Sequence, residues 1–565
     1  MEGDLTTKLH RKQSEKLFNG ELKKTFYKQK APERRFTWGA GLTKEIDNTG
    51  QFIKKTAEVP SCCLDPKEEQ SEIQEFFRGC DVLITGATGF MGKILIEKLL
   101  VSCPNIGKIY LLIREKKGKS FDERFDILFR EDVFVRLREL VPNFREKITA
   151  IKGDCSVPRL GLSDEDYDML TKRVSVIFHG AATVRFDEPL KVAAHINVRG
   201  VWEMMKFAKQ CSSLKSIMHV STTYSNCTAT NNEVVEGFYP PSYDYKRLLD
   251  LVDNEPEEDI VKMTPAFIKP WPNTYAFTKQ IGEDIVRREG QGLPIGIFRP
   301  AIVVATYKEP IRGWSDNIYG PTGVIVGAGT GVLRVIQGDT NNDANLVPVD
   351  MVVNGLIAAA YRVSENFKQG KKSIDLFNYV STVRNPQTWG EFSYWNGMYG
   401  KNWPTMLAIW YSSFRLVKYK PVYLLLHFLL HVVPAYLMDA GLVLVGKQPR
   451  MVKVYKKIRK FNVVLSFFST KQFHFTDDNV HKLWGSLSRK DQEIFPFDIA
   501  DLDWDYFAQG HLLGLRVYLV KDDIDTLHKA RLRWKRLHLL HRGLQAFLVL
   551  LLSWLLLTLF RLTSN

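Results

Sequence analysis

Residues 81–101 read DVLITGATGFMGKILIEKLLV, and this stretch decides the fold. A short apolar run is followed by three glycines and then by a pattern typical of a helix. Glycines allow a tight turn and a close approach to a pyrophosphate, whose charge is attracted by free N–H groups at the start of a helix. The spacing is G-x-x-G-x-x-G rather than G-x-G-x-x-G. The stretch predicts a dinucleotide site formed by Thr85, Gly86, Thr88, Gly89, Phe90, Met91 and Gly92.

Short apolar runs alternate with helix-patterned segments on the C-terminal side of this stretch. The runs include residues 109–113, 176–178 and 217–220. Such βαβ alternation is typical of an α/β protein with a doubly wound parallel sheet, the Rossmann fold. The predicted organisation is a flexible basic arm over residues 1–70, a Rossmann catalytic domain over 75–370, a mainly helical C-terminal domain over 371–525, and a basic flank with a membrane helix over 526–565.

The end of the second predicted strand indicates which dinucleotide binds. Enzymes that select NAD place an acidic side chain there, whereas this chain has Arg114. A guanidinium can form paired hydrogen bonds with a 2′-phosphate, so we expect NADPH. An exposed basic turn would give the same pattern. Asp154 and the Gly-Ala-Ala of residues 180–182 follow the third and fourth strands, where the adenine and nicotinamide halves would lie.

The reacting groups are predicted on a later helix. Tyr275 and Lys279 stand at i and i+4, which places them on one helix face. A neighbouring ammonium favours the phenolate, so we expect Lys279 to lower the pKa of Tyr275 and make it a useful acid. Lys279 is also a candidate to hold the cofactor ribose. Tyr and Lys are common on helices, so their spacing alone is weak evidence for catalysis. The evidence is stronger here because the pair follows a glycine-rich turn.

Hydroxyl groups at the end of the fifth predicted strand are candidates to bind a substrate carbonyl oxygen. Thr222 is preferred, with Ser221 and Thr223 as rivals, and each of them also suits a local backbone contact. Asn197 is a candidate to fix a water or a backbone group near the lysine, because asparagine is unfavourable inside a helix. His179 is expected to be a packing residue rather than a catalytic one.

The composition indicates a folded protein with a basic surface. The chain has 565 residues, of which 45% are hydrophobic, and a formal net charge of +15. That charge suits anionic lipid or an acidic substrate, and we find no nucleic-acid motif. The seven cysteines are scattered and odd in number, and the N-terminus lacks a signal-peptide core. A reducing compartment is expected, with the catalytic domain in the cytosol.

The C-terminus predicts a membrane anchor. Residues 543–560 are uncharged and rich in leucine, which just meets the length of a spanning helix. Basic residues from Lys529 to Arg542 precede them and favour the cytosolic side and anionic headgroups. A second apolar stretch, Pro421 to Val445, contains histidine, proline and aspartate. We expect a buried or membrane-surface helix pair there rather than a span.

With these residues in hand, the chain resembles an extended short-chain dehydrogenase/reductase, and within that superfamily the eukaryotic fatty acyl-CoA reductases, particularly those of insects. The likeness covers residues 75–520. Its motifs are TGATGFMG at 85–92, VSTTYSNC at 220–227, YAFTK at 275–279, GWSDN at 313–317 and GPTG at 320–323; PAY at 434–436 and GKQP at 446–449 are similar to the family's male-sterility domain. Thr222 stands where many superfamily members have serine.

The resemblance implies an activity. It is the reduction of a long-chain or very-long-chain acyl-CoA through an aldehyde to a primary alcohol, with two NADPH consumed, CoA released and no metal required. The membrane would be that of the endoplasmic reticulum or the peroxisome. An alternative is another membrane-bound extended short-chain dehydrogenase that acts on a sterol or other lipid carbonyl. A third is an idle NADPH-binding scaffold at a lipid surface, which the intact Tyr275 and Lys279 pair argues against.

Overall fold

The computed structural model describes residues 42–46, 52–56, 70–115, 118 and 120–563. The chain divides into two units, Met1–Glu68 and Glu69–Asn565. In the first unit, strands β1 (Leu42–Ile46) and β2 (Phe52–Thr56) pair antiparallel, within the segment for which we expected a flexible arm. The rest of that arm lies outside the described residues.

The second unit is built on a seven-stranded sheet in which every pair of neighbours is parallel. The strands are β3 (Asp81–Thr85), β4 (Ile109–Ile113), β5 (Ile148–Lys152), β6 (Val174–His179), β7 (Ser216–Val220), β9 (Ile295–Pro300) and β13 (Asp375–Tyr379). Their order in the sheet is β13-β9-β7-β6-β3-β4-β5. This arrangement confirms the predicted Rossmann fold.

Helices surround the sheet. In chain order they are α1 (Glu72–Phe77), α2 (Phe90–Ser102), α3 (Phe121–Leu128), α4 (Val135–Leu140), α5 (Asp164–Arg173), α6 (Leu190–Ala194), α7 (Gly200–Gln210), α8 (Tyr245–Asn254), α9 (Glu257–Phe267), α10 (Thr274–Glu289), α11 (Pro321–Gly329), α12 (Val349–Lys368), α13 (Trp389–Gly400), α14 (Lys420–His427), α15 (Val433–Leu444), α16 (Met451–Ser469), α17 (Asp478–Gly485), α18 (Arg489–Ile494), α19 (Trp504–Gly514) and α20 (Leu527–Thr563). One-turn π segments cover His195–Arg199, Phe428–Val432 and Leu515–Leu519. Short 3-10 turns cover Asp132–Phe134, Phe144–Lys147, Pro158–Gly161, Thr223–Asn226, Ile499–Asp501 and Ile524–Thr526.

The central strands are apolar along their whole length because both faces of the sheet are covered. On β3, Val82 and Ile84 belong to one core with side chains of α2 and α12. Leu83, which points the other way, belongs to a second core with side chains of α7 and α10. This alternation explains why the strand sequences read as continuous apolar runs rather than as apolar and polar residues in turn.

The C-terminal half of the chain completes the sheets of the N-terminal half. Strand β13 adds the last strand to the central sheet, so the sheet continues beyond residue 370, where we expected the domain boundary. Two short parallel pairs join the halves again. They are β14 (Arg415–Val417) with β11 (Val335–Gln337) and β15 (His474–Phe475) with β8 (Glu233–Val234); β10 (Ile302–Val304) pairs with β12 (Leu346–Pro348).

Within the described part of the chain, two helical stretches are long and apolar enough to cross a membrane, judged by length and composition. One is Ile524–Thr563, which contains α20 and the predicted anchor; none of its apolar window is buried. The other is Lys420–Leu444, where 22% of the window is buried. The helix pair predicted for this segment is instead one helical stretch, because a π turn joins α14 to α15 without a break.

Gly514 of α19 gives a test of how the C-terminal region docks. A methyl group at Gly514 would overlap the carbonyl oxygen of Gly313 and lie 2.8 Å from its Cα. We expect Gly514→Ala to destabilise the protein by about 1–3 kcal/mol, as other overpacked positions do, and to lower Tm. The control is Gly397→Ala in α13, where nothing lies within 4 Å of the new methyl. Equal effects on Tm would contradict a tight backbone contact at Gly313.

Candidate active site

The glycine turn joins β3 to α2 and is shaped for close backbone contact. Gly86 has φ +76°, and a Cβ on it would lie 2.8 Å from the Gly180 backbone. A Cβ on Gly92 would lie 2.8 Å from the Cα of Ala87. Gly89 caps the helix without a side-chain hydrogen bond, so the first N–H groups of α2 are left for an anion. This arrangement fits the pyrophosphate of a dinucleotide.

The side chains around this turn have different tasks. The Phe90 ring stacks on Trp314 at 5.6 Å, and Met91 packs against the core, so both offer backbone rather than side chain to a cofactor. Thr85 is buried: its hydroxyl lies 2.9 Å from His179 Nδ1 and accepts a hydrogen bond from the Ala181 N–H. Thr85 therefore ties the glycine turn to the end of β6.

His179 is a packing residue in this structure. It is buried, and its ring stacks on that of His219 with centroids 5.4 Å apart. Burial lowers the pKa of His179 to about 3, so the ring stays neutral at physiological pH. His179 contacts Thr85 and not the tyrosine expected to react.

Two arginines lie beside the glycine turn. Arg114, at the end of β4, accepts a hydrogen bond on its carbonyl from Arg124 of α3, and the second Arg124 nitrogen donates to the Thr88 hydroxyl at 3.0 Å. Neither arginine forms an ion pair with a described residue. Burial and the charge of Arg114 lower the pKa of Arg124. The two positive charges are therefore close enough to affect each other.

Arg124 is a residue that the sequence analysis missed. Its signal was available: it is the arginine of the helix that follows β4, and the turn after β4 was already assigned to the 2′-phosphate. Asp154, after β5, is half-buried and held in place. Its carboxylate accepts hydrogen bonds from the Ser156 N–H at 2.9 Å and the Ser156 hydroxyl at 2.8 Å.

Tyr275 and Lys279 lie on the first turns of α10. Asn273 caps this helix by accepting a hydrogen bond from the Ala276 N–H at 2.8 Å. The Lys279 ammonium donates to the carbonyl of Val220, the last residue of β7, at 2.6 Å. The side chain of Lys279 is buried, and Tyr275 is half-buried. Helix α10 therefore brings both groups to the carboxyl end of the sheet, where the glycine turn also lies.

The protonation of the pair differs from our expectation. Burial raises the pKa of Tyr275 to about 12, a hydrogen bond with Thr222 opposes the rise, and the charge of Glu283 adds to it. The charge of Lys279 does not lower this pKa, and the ammonium instead donates to the Val220 carbonyl. Burial lowers the pKa of Lys279 to about 8, against the attraction of Glu283. At neutral pH the tyrosine is a phenol and the lysine is mostly an ammonium.

The structure separates the strand-end hydroxyls. The Thr222 hydroxyl donates to the Pro300 carbonyl at 3.4 Å and accepts from the Tyr224 N–H at 3.3 Å, and a hydrogen bond between Thr222 and Tyr275 lowers the pKa of the tyrosine. Ser221 instead donates to the Glu283 carboxylate at 2.5 Å. Thr223 is buried, and its hydroxyl has no hydrogen-bond partner among the described residues.

Glu283 is the centre of a buried polar network below the site. It forms an ion pair with Arg299 at 2.8 Å, and both side chains are almost fully buried. Ser225 and Asn226 also donate to Glu283. The Arg299 guanidinium also donates hydrogen bonds to the carbonyls of Val235 and Gly237. The network holds the strand end and α10 in register.

Asn197 lies in the π turn between α6 and α7. Its side-chain oxygen accepts from the Thr183 N–H at 2.9 Å, and its nitrogen donates to the Thr183 carbonyl and to the Thr278 hydroxyl at 3.0 Å. Thr278 stands between Tyr275 and Lys279. Asn197 therefore joins the loop after β6 to the reactive helix.

An aromatic wall stands beside Tyr275. The Phe186 ring lies 5.7 Å from the Tyr275 ring and 5.7 Å from that of Phe468, and Phe468 contacts Tyr224 at 5.2 Å. Phe468 is at the end of α16, in the C-terminal region. Phe468 could not be predicted as a site residue, because nothing in the local sequence links residue 468 to residue 275. The C-terminal region therefore contributes an apolar surface to the site.

Comparison with known proteins identifies the family. Residues 84–356 match an NAD-binding family model described as "Male sterility protein", and residues 430–522 match a second model with that description. The chain is 43% identical over 518 residues to "Fatty acyl-CoA reductase wat" of Drosophila melanogaster, which covers 92% of this chain and 99% of that relative. The chain belongs to the fatty acyl-CoA reductase family.

Other relatives of this reductase agree. "Fatty acyl-CoA reductase 1" of Homo sapiens is 37% identical over 483 residues, covering 85% of this chain and 92% of that relative. The terminal R domain from the myxalamid PKS-NRPS biosynthetic pathway has the same fold, with a TM-score of 0.51 and 18% identity over 77% of this chain and 90% of that one. The resemblance seen in the motifs is confirmed: the chain is an oxidoreductase with a nicotinamide cofactor.

The buried lysine predicts a pH dependence for this reductase. Lys279 has a pKa of about 8, so its positive charge is lost as pH rises through that value, and kcat/KM should fall above it. Lys279→Met should lower the rate by about 10²–10⁴-fold and abolish this limb of the profile. Lys206→Met, at an exposed lysine of α7, is the control. A limb near pH 8 that persists in Lys279→Met would contradict the assignment.

Proposed function

We propose that this reductase converts long-chain or very-long-chain fatty acyl-CoA to the primary alcohol through an aldehyde, with two NADPH consumed and CoA released. The observation that carries the proposal is the position of Tyr275, with a hydroxyl partner in Thr222 on one side and the aromatic wall of Phe186 and Phe468 on the other. The first arrangement suits a carbonyl oxygen, and the second suits an acyl chain. The names of the relatives point to the same substrate.

The residues of the site suit both reductions. The bound nicotinamide supplies a hydride in each. Tyr275 and Thr222 donate hydrogen bonds to the carbonyl oxygen and stabilise the negative charge that develops there. After the first reduction, the C–S bond of the hemithioacetal breaks, which releases CoA and the aldehyde. In the second, Tyr275 gives its proton to the aldehyde oxygen, and the hydrogen bond with Thr222 stabilises the phenolate that remains.

Thr222, and not Ser221, is the proposed catalytic hydroxyl. Ser221 donates to the buried Glu283 carboxylate at 2.5 Å, whereas the proton of Thr222 is held only by a longer bond of 3.4 Å to the Pro300 carbonyl. Its proposed role is to position the backbone on which Thr222 sits. The ribose of the cofactor is assigned to Lys279, whose present partner is a backbone carbonyl that a ribose hydroxyl can replace.

NADPH rather than NADH is proposed from the two arginines. A 2′-phosphate carries about two negative charges and suits a pair of guanidinium groups. Arg114 and Arg124 lie next to each other beside the glycine turn, without a carboxylate partner among the described residues. Asp154 is assigned to the adenine half, at the end of the neighbouring strand.

The apolar helix α20 is proposed as a membrane anchor that leaves the catalytic domain in the cytosol, at the endoplasmic reticulum or the peroxisome. Helix α20 is basic up to Arg542 and apolar after it, and such a change is expected where a helix enters a membrane. A long acyl chain gains about 0.8 kcal/mol per CH₂ on entering the membrane. An anchored enzyme therefore meets its substrate where the substrate accumulates.

Tyr275→Phe tests the reaction. With an acyl-CoA panel and NADPH, the native protein should release CoA and form alcohols, which are measured with a thiol reagent and by mass spectrometry. Tyr275→Phe should lower kcat by about 10²–10⁴-fold because it removes the acid, while NADPH binding, measured by nicotinamide fluorescence, is unchanged. Thr222→Val should have a larger effect on kcat than Ser221→Val. Reduction of a sterol ketone without CoA release would favour the alternative substrate class.

Arg124→Ala tests the cofactor preference. Loss of a charged hydrogen bond worth about 1.5–3 kcal/mol should raise the Kd of NADPH by about 10–100-fold, with little change for NADH. Arg114→Asp should act in the same direction and also repel the phosphate. Arg130→Ala, an exposed arginine of the same region, is the control. Equal losses of NADPH and NADH binding would remove both arginines from the 2′-phosphate site.

A further inference from the structure

The helical stretch Lys420–Leu444, called the in-plane helix below, has its polar residues on the inside. The buried residues recur every fourth position: Tyr423, His427, His431, Ala435 and Asp439. At 3.6 residues per turn, a strict four-residue repeat would drift by about 40° each step and leave the protein surface. The π turn Phe428–Val432 takes an extra residue into one turn and offsets that drift. One face of the in-plane helix therefore stays against the protein over its whole length.

The inner face is fixed by specific contacts. The Asp439 carboxylate accepts hydrogen bonds from the N–H groups of Arg450, Met451 and Val452, which are the start of α16, at 2.7 to 2.9 Å. His431 Nε2 accepts from the Arg334 N–H at 2.9 Å. The histidine and aspartate side chains, which led us to expect that this segment does not span the membrane, attach the in-plane helix to the protein.

The outer face is apolar and exposed. Leu425, Leu429 and Leu437 are 59%, 51% and 69% exposed, and they are separated by four and by eight residues, which keeps them on one side of the helix. The remaining exposed members of this face are Val422, Leu424, Phe428, Val433, Tyr436, Met438, Val443, Leu444 and Val445. A contiguous apolar surface of this kind marks an interaction site in a soluble protein.

The charge around this face selects the partner. Residues 446–460, which follow the in-plane helix, contain seven lysines and arginines and no acidic residue. Among them Lys453, Lys456, Arg459 and Lys460 are exposed on α16. An apolar face bordered by basic residues fits a membrane with anionic lipids, in which the acyl region takes the face and the headgroups take the charges.

A chain of contacts connects the in-plane helix to α20. Arg334 donates to the Leu430 carbonyl at 3.2 Å, and its guanidinium lies 5.7 Å from the Trp410 ring. The Trp410 indole N–H donates to His541 Nδ1 at 3.2 Å. His541 immediately precedes the apolar part of α20. The two exposed apolar elements are therefore next to each other on the molecule.

The point where they meet is rich in aromatic rings. Tyr411 stacks on His538 with centroids 4.6 Å apart and contacts Trp534 at 5.1 Å. Tryptophan and tyrosine are enriched at the surface of membranes. This places the level of the headgroups near residues 534–541 of α20, which is also the level of the in-plane helix.

We infer that the in-plane helix lies in the plane of the membrane, with its outer face in the lipid of the cytosolic leaflet, as a second membrane contact beside α20. This inference rests on the proposed membrane anchor. The inner face contacts Arg334 and the basic start of α16, so a crossing orientation would draw these charged residues into the core of the bilayer. Helix α16 starts at this contact and ends near Phe468 at the aromatic wall, about 28 Å away at 1.5 Å per residue, so the membrane contact and the acyl site share one rigid element.

Photo-crosslinking in the full-length protein tests the inference. A benzophenone amino acid replaces Leu429 or Leu437 in protein reconstituted into phosphatidylcholine vesicles that contain phosphatidylserine. Glu258, on the acidic start of α9, is the water-exposed control, and Leu551 of α20 is the positive control for lipid. Adducts are identified by mass spectrometry. We expect roughly tenfold more lipid adduct at Leu429 and Leu437 than at Glu258, as for a helix buried in the interface.

The outcomes are distinct. Crosslinks between two chains at Leu437 would show that a second copy covers the outer face, and would overturn the inference. Water-quenched product at Leu429 and Leu437, with lipid adduct at Leu551, would also overturn it and leave the anchor intact. Absence of lipid adduct at Leu551 as well would instead refute the membrane anchor itself. Circular dichroism and Tm of each variant confirm that the fold is retained.

Discussion

The buried ion pair between Glu283 and Arg299 is the contact on which the site depends. It joins α10 to β9, and through Ser221 it also holds the end of β7. Removing one partner of such a pair typically costs about 3–5 kcal/mol, because the other charge is left buried alone. Further hydrogen bonds to both groups offset the cost of burying the two charges. Tyr275 and Thr222 come from two of these elements, so their mutual position follows from the pair.

The parts of the site that the sequence predicted are local. The glycine turn is contained in eight residues, and Tyr275 and Lys279 are one helical turn apart, so spacing alone brings their groups together. Glu283 and Phe468 were not predicted, because they contact Ser221 and Phe186 across long stretches of chain, whereas Arg124 lies only ten residues after Arg114 and could have been found. The pKa expected for Tyr275 was wrong because the pair was treated as isolated, whereas burial keeps the tyrosine protonated.

The fold, like the site, could be predicted only where the signal is local in the sequence. The central strands are apolar on both faces and could be recognised from their sequence, whereas β8, β14 and β15 have two or three residues each and carry no readable period. Those short strands, together with β13, join the C-terminal region to the Rossmann domain. A boundary near residue 370 follows from a change of texture along the chain, but the hydrogen bonds run across it. Residues from both sides of the boundary, Tyr275 and Phe468 among them, therefore form one site.

The net charge of the chain is best explained by the membrane. Of the net +15, seven basic residues lie in 446–460 and six between Lys529 and Arg542, and neither stretch has an acidic residue. Both stretches border an exposed apolar element. A nucleic-acid surface does not need apolar neighbours, whereas a membrane surface binds both parts: the apolar element enters the lipid, and each basic residue near the anionic headgroups contributes about 1 kcal/mol. The net charge alone fits either anionic lipid or an acidic substrate. The position of the basic residues beside the two exposed apolar elements favours anionic lipid.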